Sequence, residues 1–168
     1  GCEIRTTNAS ATSAAIMQIL LHENNIKDFS CRPYKVEDGL PECTATLTIG
    51  DEALIDRGDA FKYVYDLGEV WQKTFNRNVV FAVCAIRCDA IKKQPSELNE
   101  FISLLQKAPQ TSYSQAADFE AACLQNYPEI KDPMAYLDRL HFEMGLEEKK
   151  DMQLVLDKAY EHGLIEQP

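Results

Sequence analysis

Apolar residues along the first half of the chain follow two periods in turn. In residues 12–25, Ile16, Ile19 and Leu20 recur at the spacing of a helical face, which predicts a helix. Short β-branched and apolar runs lie before and after it, and they predict strands at residues 2–6, 29–34 and 44–49. Strands that alternate with helices favour an α/β sheet over separate α and β parts.

The remainder of the chain changes from strand to helix. Leu67–Phe75 has a helical face that includes Trp71, which we interpret as a core residue, and the apolar run at 79–86 predicts a strand buried on both sides. Further helices are predicted at 96–107, at 112–126, from Pro133, and at 147–162 with Gly163 as the stop. A sheet of so few strands has unpaired edges. We therefore expect either that part of the parent fold lies outside this chain or that the chain associates with itself through an exposed edge.

The formal net charge of −10 limits the partners. Nucleic acids and anionic membranes both require a basic face, so neither partner is predicted. An acidic chain can still bind a small anionic carboxylate through backbone amides and hydroxyl groups. No apolar stretch approaches the roughly 20 residues of a spanning helix and no signal peptide is present, so a cytoplasmic location is predicted. The chain starts with Gly1 rather than Met, which leads us to expect an upstream portion.

Metal and thiol chemistry have little support in the sequence. The six cysteines form no C-x-x-C pair and no histidine completes a zinc spacing, so we interpret them as reduced thiols and predict no metal site. The histidines lie outside any nucleophile motif, and His22 and His162 are interpreted as surface residues near helix ends. The charged run at 147–151 is interpreted as a solvated first turn of the last helix.

Hydroxyl groups are concentrated where the first helix begins. Ser10, Thr12 and Ser13 lie within four residues, with Ser10 or Thr12 as the predicted N-cap. The amides at a helix N-terminus are unpaired and the helix dipole is positive there, so a carboxylate or phosphate can bind without Lys or Arg. Simple capping is the alternative, although one cap needs one hydroxyl. These three residues are the first candidate substrate-binding groups.

A second candidate follows the strand predicted at 44–49. Gly50 breaks this strand and Asp51 comes next. In open α/β sheets, ligands bind outside the carboxyl ends of the strands, so Asp51 can point into a cleft. The alternative is that Asp51 caps the short helix that follows the turn. No catalytic base is assigned.

Five stretches of the chain share the motif order of one known family. They are residues 10–21 (Ser-Ala-Thr-Ser and a helix), 44–54 (a strand ending in Ile-Gly-Asp), 66–71 (Asp-Leu-Gly-Glu-Val-Trp), 80–85 (Phe-Ala-Val-Cys within an apolar strand), and the closing helices, with Tyr136-Leu137 and Phe142 and then residues 159–165. In this order they resemble the chorismate dehydratases of the futalosine route to menaquinone. The sequence departs from the family at Ala11, where the family has Arg, and at Asn78 and Val79, where Leu-Pro is common. The resemblance covers the C-terminal portion of the family, without its N-terminal segment.

The resemblance implies a lobe of a two-lobed, type 2 periplasmic-binding-protein-like α/β fold with a helical C-terminal extension. Residues 1–78 would form the second, ligand-binding lobe, and residues 79–168 a return strand and helices that pack on the first lobe. The implied enzyme is a hydro-lyase that removes water from chorismate and forms 3-[(1-carboxyvinyl)oxy]benzoate, with no metal or organic cofactor. Because the N-terminal segment supplies cleft residues, we expect this chain alone to be inactive.

Two alternatives to the enzyme remain open at the level of the sequence. One is a non-catalytic protein of the same fold that captures a small carboxylate between its lobes. The other is an interaction module that pairs through its sheet edge with another chain or with itself.

Overall fold

The computed structural model describes residues 1–35, 45–54, 61–128, 130 and 132–167, without the side chains of Asp51 and Ser112. The strands are β1 (Cys2–Thr7), β2 (Phe29–Tyr34) and β3 (Ala45–Leu47). The helices are α1 (Ala11–Glu23), α2 (Asp51–Leu54), α3 (Leu67–Phe75), α4 (Cys88–Lys93), α5 (Pro95–Ser114), α6 (Ala116–Asn126), α7 (Pro133–Asp138) and α8 (Leu146–Glu161). The chain divides into a first unit, Gly1–Ala82 with Gly145–Pro168, and a second unit, Val83–Met144.

The first unit contains a parallel sheet in which β1 lies between β2 and β3. Thr7 is opposite Tyr34 in one ladder, and Thr6 is opposite Leu47 in the other. Parallel neighbours need a crossover connection, and α1 is the helix in the connection between β1 and β2. The predicted α/β class is confirmed, and the carboxyl ends of all three strands lie at one edge of the sheet.

Helix α1 lies at the centre of the first unit because two apolar clusters meet on it. The cluster that joins α1, α3 and α8 consists of Ile16, Ile19, Leu20, Trp71, Val155 and Ala159. The cluster that joins α1 to β1 and β3 consists of Ile4, Met17 and Leu47. Trp71 has no exposed surface, which confirms its interpretation as a core residue. The position of α1 is therefore fixed from the sheet side and from the helix side.

The ends of the helices follow the predicted capping chemistry. Ser10 is the N-cap of α1, and its Oγ accepts a hydrogen bond of 3.1 Å from the Ser13 amide. Asp132 caps α7 in the same way, with Pro133 as the first helical residue. After α8, Gly163 has φ +69° and its amide donates to the Tyr160 carbonyl, which is the predicted helix stop.

His22 and His162 lie at helix ends, as predicted, but both are half-buried rather than exposed. His22 and His162 stack with their ring centroids 5.0 Å apart, and the His162 side chain is only 19% exposed. Glu23 Oε1 lies 2.8 Å from Lys158 Nζ and 3.2 Å from His162 Nε2. The pattern placed each histidine near a helix end but could not show that the C-terminal ends of α1 and α8 meet. We call His22, Glu23, Lys158 and His162 the α1–α8 clamp.

The charged run at 147–151 is solvated only in part. Glu147 is exposed, but Asp151 has only 4% of its surface exposed. Arg77 Nη1 lies 3.3 Å from Asp151 Oδ1 and 2.8 Å from Glu147 Oε2. The interpretation of a solvated turn is therefore wrong for Asp151, because the cation that pairs with it comes from a distant part of the sequence.

The second unit consists of α4, α5, α6 and α7, in agreement with the predicted helical character. Helix α5 continues through Pro109 to Ser114, further than predicted. No residue described in α4 or α6 is buried, whereas Pro133 and Leu137 of α7 are. Many large apolar side chains of this unit are exposed, among them Phe101, Leu104, Leu105 and Phe142.

The prediction of a buried strand at 79–86 is wrong. These residues have no strand assignment, and Phe81 and Val83 are 45% and 52% exposed. A strand needs a hydrogen-bonded neighbour, and neither described ladder of the sheet includes this run. Only Val79 of the run packs against the core cluster of α1, α3 and α8. An apolar run indicates a tendency to be buried, but it does not show whether a neighbouring strand is available for hydrogen bonding.

Candidate functional site

The candidate site lies at the edge of the sheet where the three parallel strands end. Strand β1 ends at Thr7, β2 at Tyr34 and β3 at Leu47. The loops that follow lead into α1 from β1 and into α2 from β3. Because ligands of open α/β sheets bind at the carboxyl ends of the strands, these two loops are where chemistry is expected.

The loop between β1 and α1 is held by short polar contacts. Thr7 Oγ1 accepts a hydrogen bond of 3.1 Å from the Ala9 amide, and the Asn8 amide donates to the Tyr34 carbonyl at 3.1 Å. Thr6 and Thr7 are buried. The loop that leads into α1 is thus attached both to its own strand and to the neighbouring strand.

The three hydroxyl residues predicted from the sequence share one helical turn but differ in their surroundings. Ser10 Oγ donates to Ser13 Oγ at 3.0 Å and accepts from the Ser13 amide, so these two side chains are bonded to each other. Ser13 is buried, whereas Ser10 and Thr12 are half-buried. Any ligand at this turn would therefore meet an ordered Ser10–Ser13 pair.

The N-terminus of α1 has the electrostatic character of an anion site. Its first turn contains no acidic side chain. Within the described residues, the amides of Ala11 and Thr12 donate to no protein acceptor. Unpaired amides and the positive end of the helix dipole both favour a carboxylate or phosphate group.

The second loop begins with a turn at Gly50, where φ is +58°. A methyl group added at its Cα would meet none of the described atoms within 4 Å, and its carbonyl accepts from the Ala53 and Leu54 amides. Asp51 is the first residue of α2, but its side chain lies outside the described residues. The structure thus places the backbone of Asp51 at the end of β3 that faces the same sheet edge as the α1 turn.

Sequence reasoning missed two residues at this edge, Tyr34 and Glu52. The Tyr34 hydroxyl donates to Glu52 Oε2 at 2.8 Å and lies 3.4 Å from the Leu47 carbonyl oxygen. Tyr34 is 5% exposed. The available signal was weak: a tyrosine at the end of a predicted strand and a glutamate just after the predicted Gly50 turn. Their contact depends on the order of strands in the sheet, which the sequence did not reveal.

Nucleophilic and metal chemistry have no support among the residues described near this edge. Burial raises the pKa of the Cys31 thiol in β2, which keeps the reactive thiolate scarce at neutral pH. Cys2, Cys31, Cys84, Cys88 and Cys123 are free thiols, as predicted, and Cys43 lies outside the described residues. Over the described ranges, no group of His, Cys, Asp or Glu side chains could hold a metal ion.

Comparison with known proteins gives one family match. A family model described as menaquinone biosynthesis matches residues 1–161. A search of curated proteins finds no match. Among the helices that the structure describes, none is both long and apolar enough to cross a membrane.

Proposed function

Since this chain belongs to the menaquinone biosynthesis family and has a role in that synthesis, we propose that its reaction is the dehydration of chorismate. The family match over residues 1–161 is the observation that carries the proposal. The motif resemblance described above supports the same reaction, a carbon–oxygen lyase that forms 3-[(1-carboxyvinyl)oxy]benzoate. The match does not favour the non-catalytic carboxylate-binding alternative.

The chemistry of the site supports a dianionic substrate of this kind. Chorismate carries two carboxylates, and the first turn of α1 offers unpaired amides beside the Ser10–Ser13 pair. We place one substrate carboxylate at this turn, with Thr12 beside it and Asp51 as a polar contact from the second loop. Hydrogen bonds from preorganised amides and hydroxyls then fix the orientation of the ring.

The reaction itself makes modest demands on the protein. Loss of a ring proton and of the ring hydroxyl, which leave together as water, converts the cyclohexadiene into an aromatic ring. Because aromatisation is strongly favourable, the protein needs mainly to orient the substrate, exclude bulk water and position an acid or base. The described residues support the first of these tasks, and the residue that removes the proton is unassigned.

We further propose that the fold corresponds to one lobe of the type 2 periplasmic-binding-protein architecture. In this proposal residues 1–78 form the ligand-binding lobe, and helices of residues 79–168 pack on the lobe that the N-terminal segment builds. Of these helices, α8 also packs on α1 and α3. The parallel sheet, with the candidate site at the carboxyl ends of its strands, supports the assignment of residues 1–78 as the ligand-binding lobe. A crystal structure of a version extended at its N-terminus would test this arrangement. The proposal would be contradicted if residues 1–78 did not form a cleft with the lobe built by the N-terminal segment.

The deciding experiment follows chorismate consumption by absorbance and identifies the product by mass. It uses this chain and the N-terminally extended version side by side. Conversion to 3-[(1-carboxyvinyl)oxy]benzoate by the extended version, and not by this chain alone, is the expected result. If neither converts chorismate but one binds it, the protein is a carboxylate-binding member of the fold and the lyase assignment is wrong.

Site variants test the proposed carboxylate position. We expect Thr12→Ala combined with Ser13→Ala to weaken chorismate binding by about 10-fold or more, because two hydroxyl contacts at the charged group are lost. Ser30→Ala is the matched control, since Ser30 is an exposed serine on β2. Isothermal titration of the N-terminally extended version would measure both affinities. Unchanged affinity in the double variant would place the carboxylate elsewhere.

A further inference from the structure

Tyr34 connects the two loops that border the candidate site. Its backbone carbonyl accepts from the Asn8 amide at 3.1 Å, in the loop that leads to the Ser10–Ser13 pair. Its side-chain hydroxyl reaches the other loop and donates to Glu52 Oε2 at 2.8 Å, one residue after Asp51. One residue at the end of β2 therefore has hydrogen bonds to both sides of the site.

The bond to Glu52 is the stronger of the two contacts described for the hydroxyl. A tyrosine hydroxyl has one proton to donate, and 2.8 Å to a carboxylate oxygen is a short, charge-assisted geometry. The Leu47 carbonyl oxygen, at 3.4 Å, is at the limit of hydrogen bonding. Because Tyr34 is 5% exposed, water competes little for this proton.

The turn of α2 is short and is preceded by a glycine, whose backbone is more flexible than that of other residues. Helix α2 has four residues, and Gly50, before it, is in the left-handed region with φ +58°. Glycine loses more backbone entropy on ordering than other residues, so this turn needs outside support. The Tyr34–Glu52 bond supplies a contact from the sheet directly beside Asp51.

We propose that Tyr34 is a positioning residue for the substrate site, which holds the α2 turn in register with the first turn of α1 through Glu52. This inference rests on the proposed function, since it concerns the same substrate. Tyr34 acts through other groups and is not placed in contact with the substrate. Its expected effect is on the affinity for the substrate and on the order of the α2 turn.

The test compares the chorismate affinity of four variants of the N-terminally extended version by titration calorimetry. We expect Tyr34→Phe and Glu52→Ala each to weaken binding by about 5- to 20-fold, the range of a moderate coupling between sites. Glu52→Gln keeps an oxygen that can accept from Tyr34, so it should recover most of the affinity. Tyr65→Phe is the matched control, because Tyr65 is 71% exposed.

A merely structural role would give a different pattern. Tyr34→Phe would then lower the thermal midpoint without weakening binding, or Glu52→Gln would be as weak as Glu52→Ala, and either result overturns the proposal. Amide hydrogen exchange gives a readout that needs no ligand: in Tyr34→Phe, the Ala53 and Leu54 amides should exchange about 10-fold faster while the β1 amides keep their protection. If the N-terminally extended protein without substitutions does not bind chorismate, the proposed function fails. Unchanged exchange at Ala53 and Leu54 would show separately that Tyr34 does not hold α2.

Discussion

Two isoleucines in or near α1 show how strongly the burial of a side chain depends on its position. Ile16, on α1, is fully buried in the cluster with α3 and α8, whereas Ile26, just after α1, is 48% exposed. We expect Ile16→Ala to lower the free energy of unfolding by about 2–5 kcal/mol, because it removes buried methyl groups and leaves a cavity. Ile26→Ala should cost less than about 1 kcal/mol. Urea denaturation of the two variants measures the difference, and equal losses would contradict the packing of α1.

A second prediction at the scale of the residue concerns the N-cap of α1. Ser10→Ala removes the acceptor of the Ser13 amide and should lower the free energy of unfolding by about 1 kcal/mol. Ser10→Asn can accept the same hydrogen bond and should retain most of the stability. Thermal unfolding monitored by circular dichroism compares the two. If Asn is as destabilising as Ala, the hydrogen bond to the amide is not what stabilises the helix start.

The role of a single residue could be predicted from the sequence where it depends on local chemistry, but not where it depends on a residue distant in sequence. Ser10 and Gly163 have roles fixed by the ends of their own helices, and both predictions are confirmed. The spacing of its own helical face was enough to place Trp71 in the core. Tyr34 and Glu52 meet across the ends of two strands that pair with β1, so no local pattern could indicate their contact.

At the scale of the element, the α1–α8 clamp gives stability that depends on pH. The hydrogen bond from Lys158 lowers the pKa of Glu23 below its usual value of 4.5; burial opposes this shift and His162 adds to it. A carboxyl whose pKa is lower in the folded state stabilises the fold above its unfolded pKa. That contribution is therefore complete above pH 4.5 and is lost as the pH falls from 4.5 through the lowered pKa.

The matching experiment compares Glu23→Gln with the unmodified protein across pH. At pH 7 we expect a loss of about 0.5–1 kcal/mol in the free energy of unfolding, as for a partly exposed ion pair. The two proteins should converge as the pH falls below the lowered pKa of Glu23. Glu161→Gln is the matched control, because Glu161 pairs with the same Lys158 but is 59% exposed. A difference that persists undiminished in acid would mean that the charge of Glu23 is not responsible.

Elements with capping signals were predicted well, and elements without them were not. Helix α3 has the predicted bounds, with Asp66 accepting from the Gly68 and Glu69 amides and Asn76 in the left-handed region after the last residue. For residues 79–86, the prediction of a strand depended on apolar residues alone, without a capping signal. The helix predicted at 96–107 stops short of Pro109, yet α5 accommodates this proline and continues.

At the scale of the whole molecule, we predict that the two units differ in local stability. The described residues of α4 and α6 are not buried, whereas α1 contributes five buried residues. Local opening is easiest where little apolar surface is buried. Amide hydrogen exchange should therefore be at least about 10-fold slower in the middle of α1 than in α6. Equal protection of the two helices would show that the second unit is stabilised by contacts other than its own.

The α/β class and the helical second half follow from the order of patterns, and both are confirmed. The division into units does not follow from them, because it depends on α8 packing with α1 and α3. Apolar spacing shows that α8 has a buried face but gives no partner for it. Self-association through a sheet edge stays a prediction without support in the structure, and the cytoplasmic location likewise stays a prediction.

The discontinuity of the first unit has a consequence for how the protein is made. A ribosome releases α1 and α3 long before α8, because the whole second unit is translated between them. Until α8 emerges, Ile16, Ile19 and Trp71 lack the helix that completes their cluster. The nascent chain therefore exposes apolar surface on α1 and α3 until α8 is made, and a product truncated before Gly145 would be retained by chaperones or degraded by proteases.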